Sequence, residues 1–289
     1  MSVIEAAPAK INLALSVIGK RDDGYHLIDS LVVFTAHGDS VTAAAADTDR
    51  FTLSGPFARQ LPSLQSADNL CIRARDGLRL FLRGMGHPAP PVALKLIKNL
   101  PVASGIGGGS ADAAATLRCL LAHWRFRPDT APIAALALTL GADVPMCLAS
   151  RAARATGIGE CLEPVAGLSG IPLVLVNPGV AVGTREVFRR LTDRQNPPLP
   201  PIPAFSGPVD LARWLSETRN DLERPARALA PSIGDCLARI TESGALAARM
   251  SGSGASCFGI YGDMNGAMMA AGLIGARHPG WFVAATRTL

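Results

Sequence analysis

The sequence predicts an α+β fold. Strand-like segments dominate the first part of the chain, helical segments dominate the middle, and strands and helices are mixed at the end without a regular βαβ alternation. The chain has 289 residues, of which 48% are hydrophobic and 18% are charged. This composition supplies enough apolar material for one large domain or two moderate ones.

The N-terminal part is predicted to form strands. Residues 2–8 and 10–18 are two strand-like runs that meet near Pro8, and residues 19–25 contain an Asp-Asp-Gly turn signal. Strand character resumes over residues 26–34, 40–44 and 51–53.

The middle of the chain predicts three helices around a glycine-rich loop. Apolar residues at helical spacing predict a helix over 67–83, and residues 92–97 alternate like a strand. The loop covers 99–109. A helix over 110–124 follows it, and Thr130 and Pro132 mark the start of another that ends near Gly141.

The C-terminal part mixes both element types. Strands are predicted over residues 171–176, 247–250, 256–261 and 281–286, and helices over 184–191, 209–218, 232–243 and 265–274. Residues 196–208 are rich in proline and are predicted to be a loop or spacer. A boundary near residues 150–165 would give an N-terminal domain of residues 1–160 and a C-terminal domain of residues 161–289.

Charge and cysteine content narrow the function. A net charge of +5 suits an anionic small molecule such as a nucleotide, but the charge is too dispersed for nucleic acid. None of the six cysteines forms a CxxC pair or lies at metal-ligand spacing from a histidine, so we expect reduced thiols in a cytoplasmic protein. We find neither a signal peptide pattern nor a membrane-length apolar stretch, and expect no membrane partner.

The strongest local signal is the glycine-rich loop before the helix at 110. Four glycines in residues 105–109 let the backbone approach an anion, and the helix start adds unpaired N–H groups. Ser110 could donate a hydroxyl hydrogen bond or bind Mg²⁺. The Walker pattern is absent, and Ser110 also breaks the dinucleotide pattern. A flexible turn before a helix remains the alternative.

Two charged residues stand out. Asp143 lies between small and rigid residues, and Pro145 should hold Val144 extended, so Asp143 could be aimed to deprotonate a hydroxyl. A simple turn is the alternative. Lys10 is a lone cation in an apolar strand and would need a phosphate or aspartate partner if buried, unless it reaches water from a sheet edge.

Several segments in order resemble the diphosphocytidyl-methylerythritol kinases of the GHMP (galactokinase, homoserine kinase, mevalonate kinase, phosphomevalonate kinase) superfamily. These segments are residues 8–13 and 19–26, the loop 99–111, residues 141–145 and residues 250–258. The similarity runs from about residue 6 to about residue 261, and residues 19–26 are its most specific part.

The resemblance implies a two-lobed fold, with an N-terminal ATP-binding lobe and a C-terminal α/β-sandwich lobe. The implied reaction is phosphorylation by ATP, with Mg²⁺, of the 2-hydroxyl of 4-diphosphocytidyl-2-C-methyl-D-erythritol in non-mevalonate isoprenoid synthesis. The only implied partner is this small molecule.

The resemblance also assigns roles to residues. Asp143 would be the catalytic base and Lys10 its neighbouring cation. Tyr25 would stack on cytosine and His26 would bond its polar edge. The remaining substrate residues would be Asn12, Thr184 and Phe188, with Phe188 on the other face of the cytosine. ATP would be bound by Asn69, in the adenine-side segment 68–70, and by Lys98, Pro101, Val102, Ala103, Ser104, Gly105, Ile106, Gly107, Gly108, Gly109, Ser110 and Ala111.

The sequence departs from the family pattern at three positions. Ala111 replaces a common second serine, Asp112 stands where relatives vary, and Ala255 interrupts the last segment, so no metal ligand is assigned. The alternatives are another GHMP kinase, such as a homoserine or mevalonate kinase, a decarboxylase of the superfamily, and a non-catalytic nucleotide-binding or RNA-binding protein. Residues Tyr25 and His26 would have no explained role in the first alternative.

Overall fold

The chain forms two units that are interleaved along the sequence. The computed structural model describes residues 2–61, 69–127 and 129–289. Unit 1 comprises Met1–Ala9, Gly38–Val102 and Gly107–Ser150. Unit 2 comprises Lys10–His37, Ala103–Ile106 and Arg151–Leu289. The division between residues 160 and 161 therefore stays a prediction, since each unit draws on several segments of the chain.

Two long strands pass from one unit into the other. Strand β1 covers Val3–Lys20 and strand β2 covers His26–Ala45. The sequence predicted two shorter strands in place of each, and that was wrong. Pro8 does not interrupt β1, because its fixed φ suits extended backbone. Strand β2 runs through Gly38, where only glycine fits because a Cβ would lie 2.3 Å from the Ala7 carbonyl oxygen.

Unit 1 combines a small sheet with helices. Residues 40–45 of β2 pair antiparallel with β4, which pairs parallel with β3. Helix α2 packs against the other three helices, and its buried alanines allow that close approach. The elements after β2 are β3 (Arg50–Ser54), α1 (Leu70–Gly84), β4 (Val92–Ile97), α2 (Gly108–His123), α3 (Thr130–Leu140) and α4 (Val144–Ala149).

Helix α4 corrects the sequence prediction for Val144. Pro145 was expected to hold Val144 extended, but Val144 is the first residue of α4 and Pro145 lies in the first turn. A proline is tolerated there because the N–H that it lacks would have no partner within the helix. The predicted helix over 67–83 is observed from Leu70, with Asn69 as its N-cap, while Asp68 lies outside the described residues.

Unit 2 contains part of β2 with the two short strands β5 and β6, and a four-stranded sheet. Residues 28–32 of β2 pair antiparallel with β5, and β5 pairs with β6. The four-stranded sheet is antiparallel throughout, in the order β10-β7-β9-β8. The elements of unit 2 that follow β2 are β5 (Ala153–Gly157), β6 (Cys161–Pro164), β7 (Pro172–Asn177), α5 (Thr184–Arg190), α6 (Pro208–Ser216), α7 (Glu223–Leu229), α8 (Ser232–Glu242), β8 (Ala247–Met250), β9 (Cys257–Ile260), α9 (Met264–Arg277) and β10 (Phe282–Arg287).

Strand β7 lies at the centre of the unit 2 core. All six of its residues are buried, and α8 and α9 pack against its sheet. The short elements β5, β6 and α7 were not predicted from the sequence. The other C-terminal elements are observed within a few residues of their predicted bounds. In the part of the chain described here, no helix is both long and apolar enough to cross a membrane.

Candidate functional site

In unit 1, the glycine-rich loop ends in an open helix start. Gly107 has a φ of 66° and precedes the first residue of α2. The first α-helical hydrogen bond joins the Ala111 N–H to the Gly107 carbonyl over 2.8 Å. The amides of residues 108–110 therefore precede the helical ladder, where they can receive an anion and benefit from the helix dipole.

In unit 2, residues 103–106 of the loop are held by their carbonyl groups. The Ser104 carbonyl accepts from the Ser256 N–H over 3.0 Å, and the Ile106 carbonyl accepts from the Lys10 N–H over 2.9 Å. Between them, the Gly105 carbonyl accepts from the Ser251 hydroxyl over 3.2 Å. A Cβ on Gly105, whose φ is 74°, would lie 2.6 Å from the Gly254 carbonyl oxygen, so only glycine fits there.

The segment 250–258 makes hydrogen bonds that were not predicted from the sequence. The Asn220 amide donates to the carbonyls of Met250 and Gly252 over 2.9 and 2.8 Å. The hydroxyls of Ser253 and Thr184 lie 2.9 Å apart. The repeated Ser and Gly residues of segment 250–258 could have indicated these contacts from the sequence. No pattern in the sequence indicates the role of Asn220.

Lys10 and Asn12 are buried on the unit 2 part of β1. The exposed fractions are 6% for Lys10 and 2% for Asn12. The Asn12 N–H donates to the Ser251 hydroxyl over 3.1 Å, and its side-chain amide donates to Ser30 Oγ over 2.8 Å. Within the described ranges, Asn12 Oδ1 is buried without a hydrogen-bond partner. The strand thus holds the Asn12 side chain in place and leaves one of its acceptors unpaired among the described residues.

Asp143 lies at the start of α4 in unit 1. It is half-buried, and its carboxylate makes no N-cap hydrogen bond to the helix. Helix α4 packs against α2, so Asp143 is carried by an element that contacts the helix following the loop.

His26 and Phe188 form a stacked aromatic pair in unit 2. Their ring centroids are 4.6 Å apart with an interplanar angle of 26°. His26 Nε2 is buried and has no hydrogen-bond partner among the residues that the structure describes. Desolvation, and next the charges of Arg194 and Lys20, lower the pKa of His26, so a neutral ring is favoured. Tyr25 beside it is 56% exposed.

Lys98 lies in an ion cluster with two acids. Its ammonium contacts Asp39 and lies 2.8 Å from Asp112 Oδ2. Burial opposes the charged form of Lys98, but the two carboxylates outweigh that effect and raise its pKa. Lys98 was predicted to bind ATP, and Asp39 was not predicted to belong to the site. Asp39 Oδ1 accepts hydrogen bonds from the N–H groups of Asn99 and Leu100.

Each unit thus gathers part of the predicted set. Unit 1 holds Asn69, Lys98, Pro101, Val102, Gly107, Gly108, Gly109, Ser110, Ala111 and Asp143, and unit 2 holds Lys10, Asn12, Tyr25, His26, Ala103, Ser104, Gly105, Ile106, Thr184 and Phe188. Over the described ranges there is no group of three or more His, Cys, Asp or Glu side chains that could bind a metal ion.

Family models match both parts of the chain. The model of the GHMP kinases N terminal domain matches residues 69–151, and that of the GHMP kinases C terminal domain matches residues 203–268. The solved structure of a homoserine kinase from Cytophaga hutchinsonii covers 99% of this chain, with a TM-score of 0.71 and 18% identity, over 95% of its own length. The fold and the loop together define a GHMP kinase.

More similar relatives define the family within that class. The 4-diphosphocytidyl-2-C-methyl-D-erythritol kinase of Agrobacterium fabrum is 53% identical over 290 residues, covering 99% of this chain and 96% of the relative. The enzyme of the same name from Mesorhizobium japonicum is 53% identical over 98% of this chain and 95% of its own. A solved 4-(cytidine 5'-diphospho)-2C-methyl-D-erythritol kinase is 33% identical, with a TM-score of 0.77 over 99% of both chains. The chain belongs to the 4-diphosphocytidyl-2-C-methyl-D-erythritol kinase family.

Proposed function

We propose that this chain transfers the γ-phosphoryl group of ATP to the 2-hydroxyl of 4-diphosphocytidyl-2-C-methyl-D-erythritol. As a GHMP kinase it uses ATP as the phosphate donor. Family membership supports the acceptor. The observation that carries the proposal is the stacked His26–Phe188 pair, in which His26 Nε2 is buried and has no hydrogen-bond partner among the described residues. A flat aromatic surface beside a hydrogen-bonding ring nitrogen suits a cytosine base.

ATP is proposed to bind its phosphates at the loop. The amides of residues 108–110 would donate to the phosphate oxygens, as helix N-termini do for anions. Mg²⁺ usually keeps several waters and takes one or two protein ligands beside the phosphates. The half-buried Ser110 hydroxyl at the start of α2 fits that small requirement, and bound Mg²⁺ would neutralise phosphate charge.

Phosphoryl transfer is proposed to use Asp143 and Lys10. Asp143 would accept the proton of the substrate hydroxyl while the hydroxyl oxygen forms a bond to the γ-phosphorus of ATP. The bond between the γ-phosphorus and the β-γ bridging oxygen breaks at the same time, and ADP leaves. Lys10 would stabilise the negative charge that develops on the transferred group. In unit 2, the Lys10 N–H is bonded to the Ile106 carbonyl of the loop, which supports a role for Lys10 beside the loop. In unit 1, Asp143 begins a helix packed on α2, which supports a role for Asp143 beside the start of α2.

The substrate is tested by a coupled ADP-release assay. We expect turnover with 4-diphosphocytidyl-2-C-methyl-D-erythritol, and none above background with homoserine or mevalonate. Phosphorus NMR of the product should show a new monoester at the 2-hydroxyl. Turnover with homoserine or mevalonate alone would overturn the acceptor, and ATP binding without any turnover would indicate a nucleotide-binding protein. A metabolic enzyme of this kind is proposed to work in the cytoplasm.

A further inference from the structure

A buried cluster of three charged side chains lies beneath the start of α2 in unit 1. We call Asp39, Lys98 and Asp112 the ion cluster. The exposed side-chain fraction is 2% for Lys98 and at most 5% for the two acids. A Cβ on Gly108, the first residue of α2, would lie only 3.1 Å from the Lys98 ammonium. The cation therefore lies directly against the backbone that begins the helix.

The ion cluster connects the two stems of the glycine-rich loop. On the incoming stem, Asp39 Oδ1 accepts from the N–H groups of Asn99 and Leu100 over 2.5 and 2.8 Å. On the outgoing stem, Asp112 belongs to the first turns of α2 and lies 2.8 Å from Lys98. Lys98 bonds both acids, so one cation joins the chain before the loop to the chain after it.

The charge balance makes this cluster costly as a purely structural feature. With both acids ionised it would carry a net charge of −1 in the interior, and such groups often stabilise a fold less than apolar side chains of similar volume. Asp112 Oδ1 is buried with no hydrogen-bond partner in the described part of the chain. Burial accordingly raises the pKa of Asp112 to about 8, and a proton on that oxygen leaves the cluster neutral.

We propose that Lys98 is a positioning residue which, through Asp39 and Asp112, holds the two loop stems so that the amides of residues 108–110 are aimed at the ATP phosphates. In this proposal Lys98 acts through the loop, whereas the sequence predicted that it binds ATP directly. The inference rests on the proposed role of the loop in ATP binding. It goes further by assigning ATP affinity to buried side chains outside the loop.

The test compares ATP binding with binding of the other substrate. Lys98→Met is expected to lower the ATP affinity measured by calorimetry about tenfold or more and to raise the KM for ATP. The KM for the cytidine substrate and kcat at saturating ATP should change by less than about threefold. Asp112→Asn, which keeps the shape and an acceptor for Lys98, should retain ATP affinity within about threefold.

A matched control separates positioning from loss of stability. Arg154→Met removes a different partly buried pair, in which Arg154 donates to the Asp29 carboxylate over 2.8 and 2.6 Å in unit 2. It should lower the unfolding temperature while leaving the Kd for ATP unchanged. If Lys98→Met does not fold, Asp39→Asn, which keeps the Oδ1 acceptor but loses the charge, is measured by the same criteria.

Two results would overturn the inference. The first is an ATP affinity equal to that of the parent in the folded Lys98→Met or Asp39→Asn enzyme. The second is an equal loss of affinity for ATP and for the cytidine substrate. A Gly107→Val variant measured in parallel tests the loop itself. If Gly107→Val weakens ATP binding and Lys98→Met does not, only the positioning role of Lys98 is wrong. If neither variant weakens ATP binding, the proposed phosphate site is wrong as well.

Discussion

Asp143 and Lys10 show how single residues acquire a proposed role from their setting. Asp143 is a half-buried carboxylate at a helix start that it does not cap. Lys10 is a buried cation whose N–H is bonded to the loop. Neither setting can be read from residue type, because aspartates commonly occupy turns and lysines commonly reach water.

The first prediction concerns the proposed base. Asp143→Asn keeps the size and polarity of the side chain but cannot accept the hydroxyl proton. We expect a loss of turnover on the order of a hundredfold or more, with ATP and substrate binding retained. Single-turnover phosphorylation at saturating ATP measures this. Transfer at near the parent rate would remove the proposed mechanism.

A double-mutant cycle tests whether Asp143 and Lys10 act together in phosphoryl transfer. Lys10→Met should also lose turnover, because developing phosphate charge is no longer balanced. If the two residues act as a unit, the double variant should cost less than the sum of the single losses. Fully additive losses would show that they act independently.

The second prediction concerns cytosine recognition. Phe188→Ala removes the ring that stacks on His26, and His26→Ala removes the ring nitrogen, so each should raise the KM of the diphosphocytidyl substrate about tenfold or more. The KM for ATP should stay within about twofold. His87→Ala is the control, since His87 contacts Phe126 in another aromatic pair, with centroids 4.8 Å apart in unit 1. Equal losses for both substrates in steady-state kinetics would contradict a dedicated cytosine pocket.

At the scale of elements, the start of α2 is the feature on which ATP binding depends. The third prediction is that Gly107→Val lowers the ATP affinity measured by calorimetry by at least about tenfold. The φ of 66° at Gly107 disfavours a β-branched residue. Gly86 offers a matched control. It has a φ of 73° with open space around its Cβ position, so Gly86→Val carries similar strain and should leave ATP affinity unchanged. Equal ATP affinities in the two variants would speak against the phosphate site.

The ion cluster also predicts how stability depends on pH. The pKa of Asp112 is raised to about 8 from an ordinary value of 3.8 by desolvation, an effect that the Lys98 charge opposes and the Asp39 charge reinforces. Cys71 faces the same cluster, and burial raises its pKa to about 12, so it remains a neutral thiol. Between pH 3.8 and about 8 the folded protein holds a proton on Asp112 that the unfolded chain has released.

The fourth prediction follows from that difference in bound protons. The Asp112 contribution to the free energy of unfolding should fall as pH rises through this window, by at most about 1.4 kcal/mol per pH unit. Asp112→Asn should lack this contribution. Urea unfolding of the parent and of Asp112→Asn from pH 5 to pH 9 measures this contribution. The difference between their free energies of unfolding should change with pH and level off above about pH 8. A difference independent of pH would show that Asp112 has an ordinary pKa.

At the scale of the whole molecule, the interleaved units predict how the chain tolerates division. The unit 2 core includes Leu15 and Val17 of β1, packed with residues of the C-terminal sheet and helices. The fifth prediction is that a fragment of residues 161–289 does not fold alone, because it lacks these side chains. Circular dichroism and amide exchange should show no cooperative unfolding for the fragment, with the full chain as the control. A cooperatively folded fragment would support the predicted boundary at 160 and 161.

The sequence by itself determined the elements with strong local signals. The alternation of residues 92–97, the glycine-rich loop and the helix after it are local patterns, and each is observed close to its predicted position. The ordered segments also indicated the family, which the relatives confirm. These features need only neighbouring residues to be recognised.

Only the tertiary structure decided how distant residues combine. Asp39 and Lys98 are separated by 59 positions, and Asn12 and Ser251 by 239, yet both pairs are hydrogen-bonded. Strands β1 and β2 run on past Pro8 and Gly38 because pairing and burial outweigh local turn propensity. A buried charge or amide is satisfied by whatever group the fold brings to it, and no local pattern in the sequence specifies that partner.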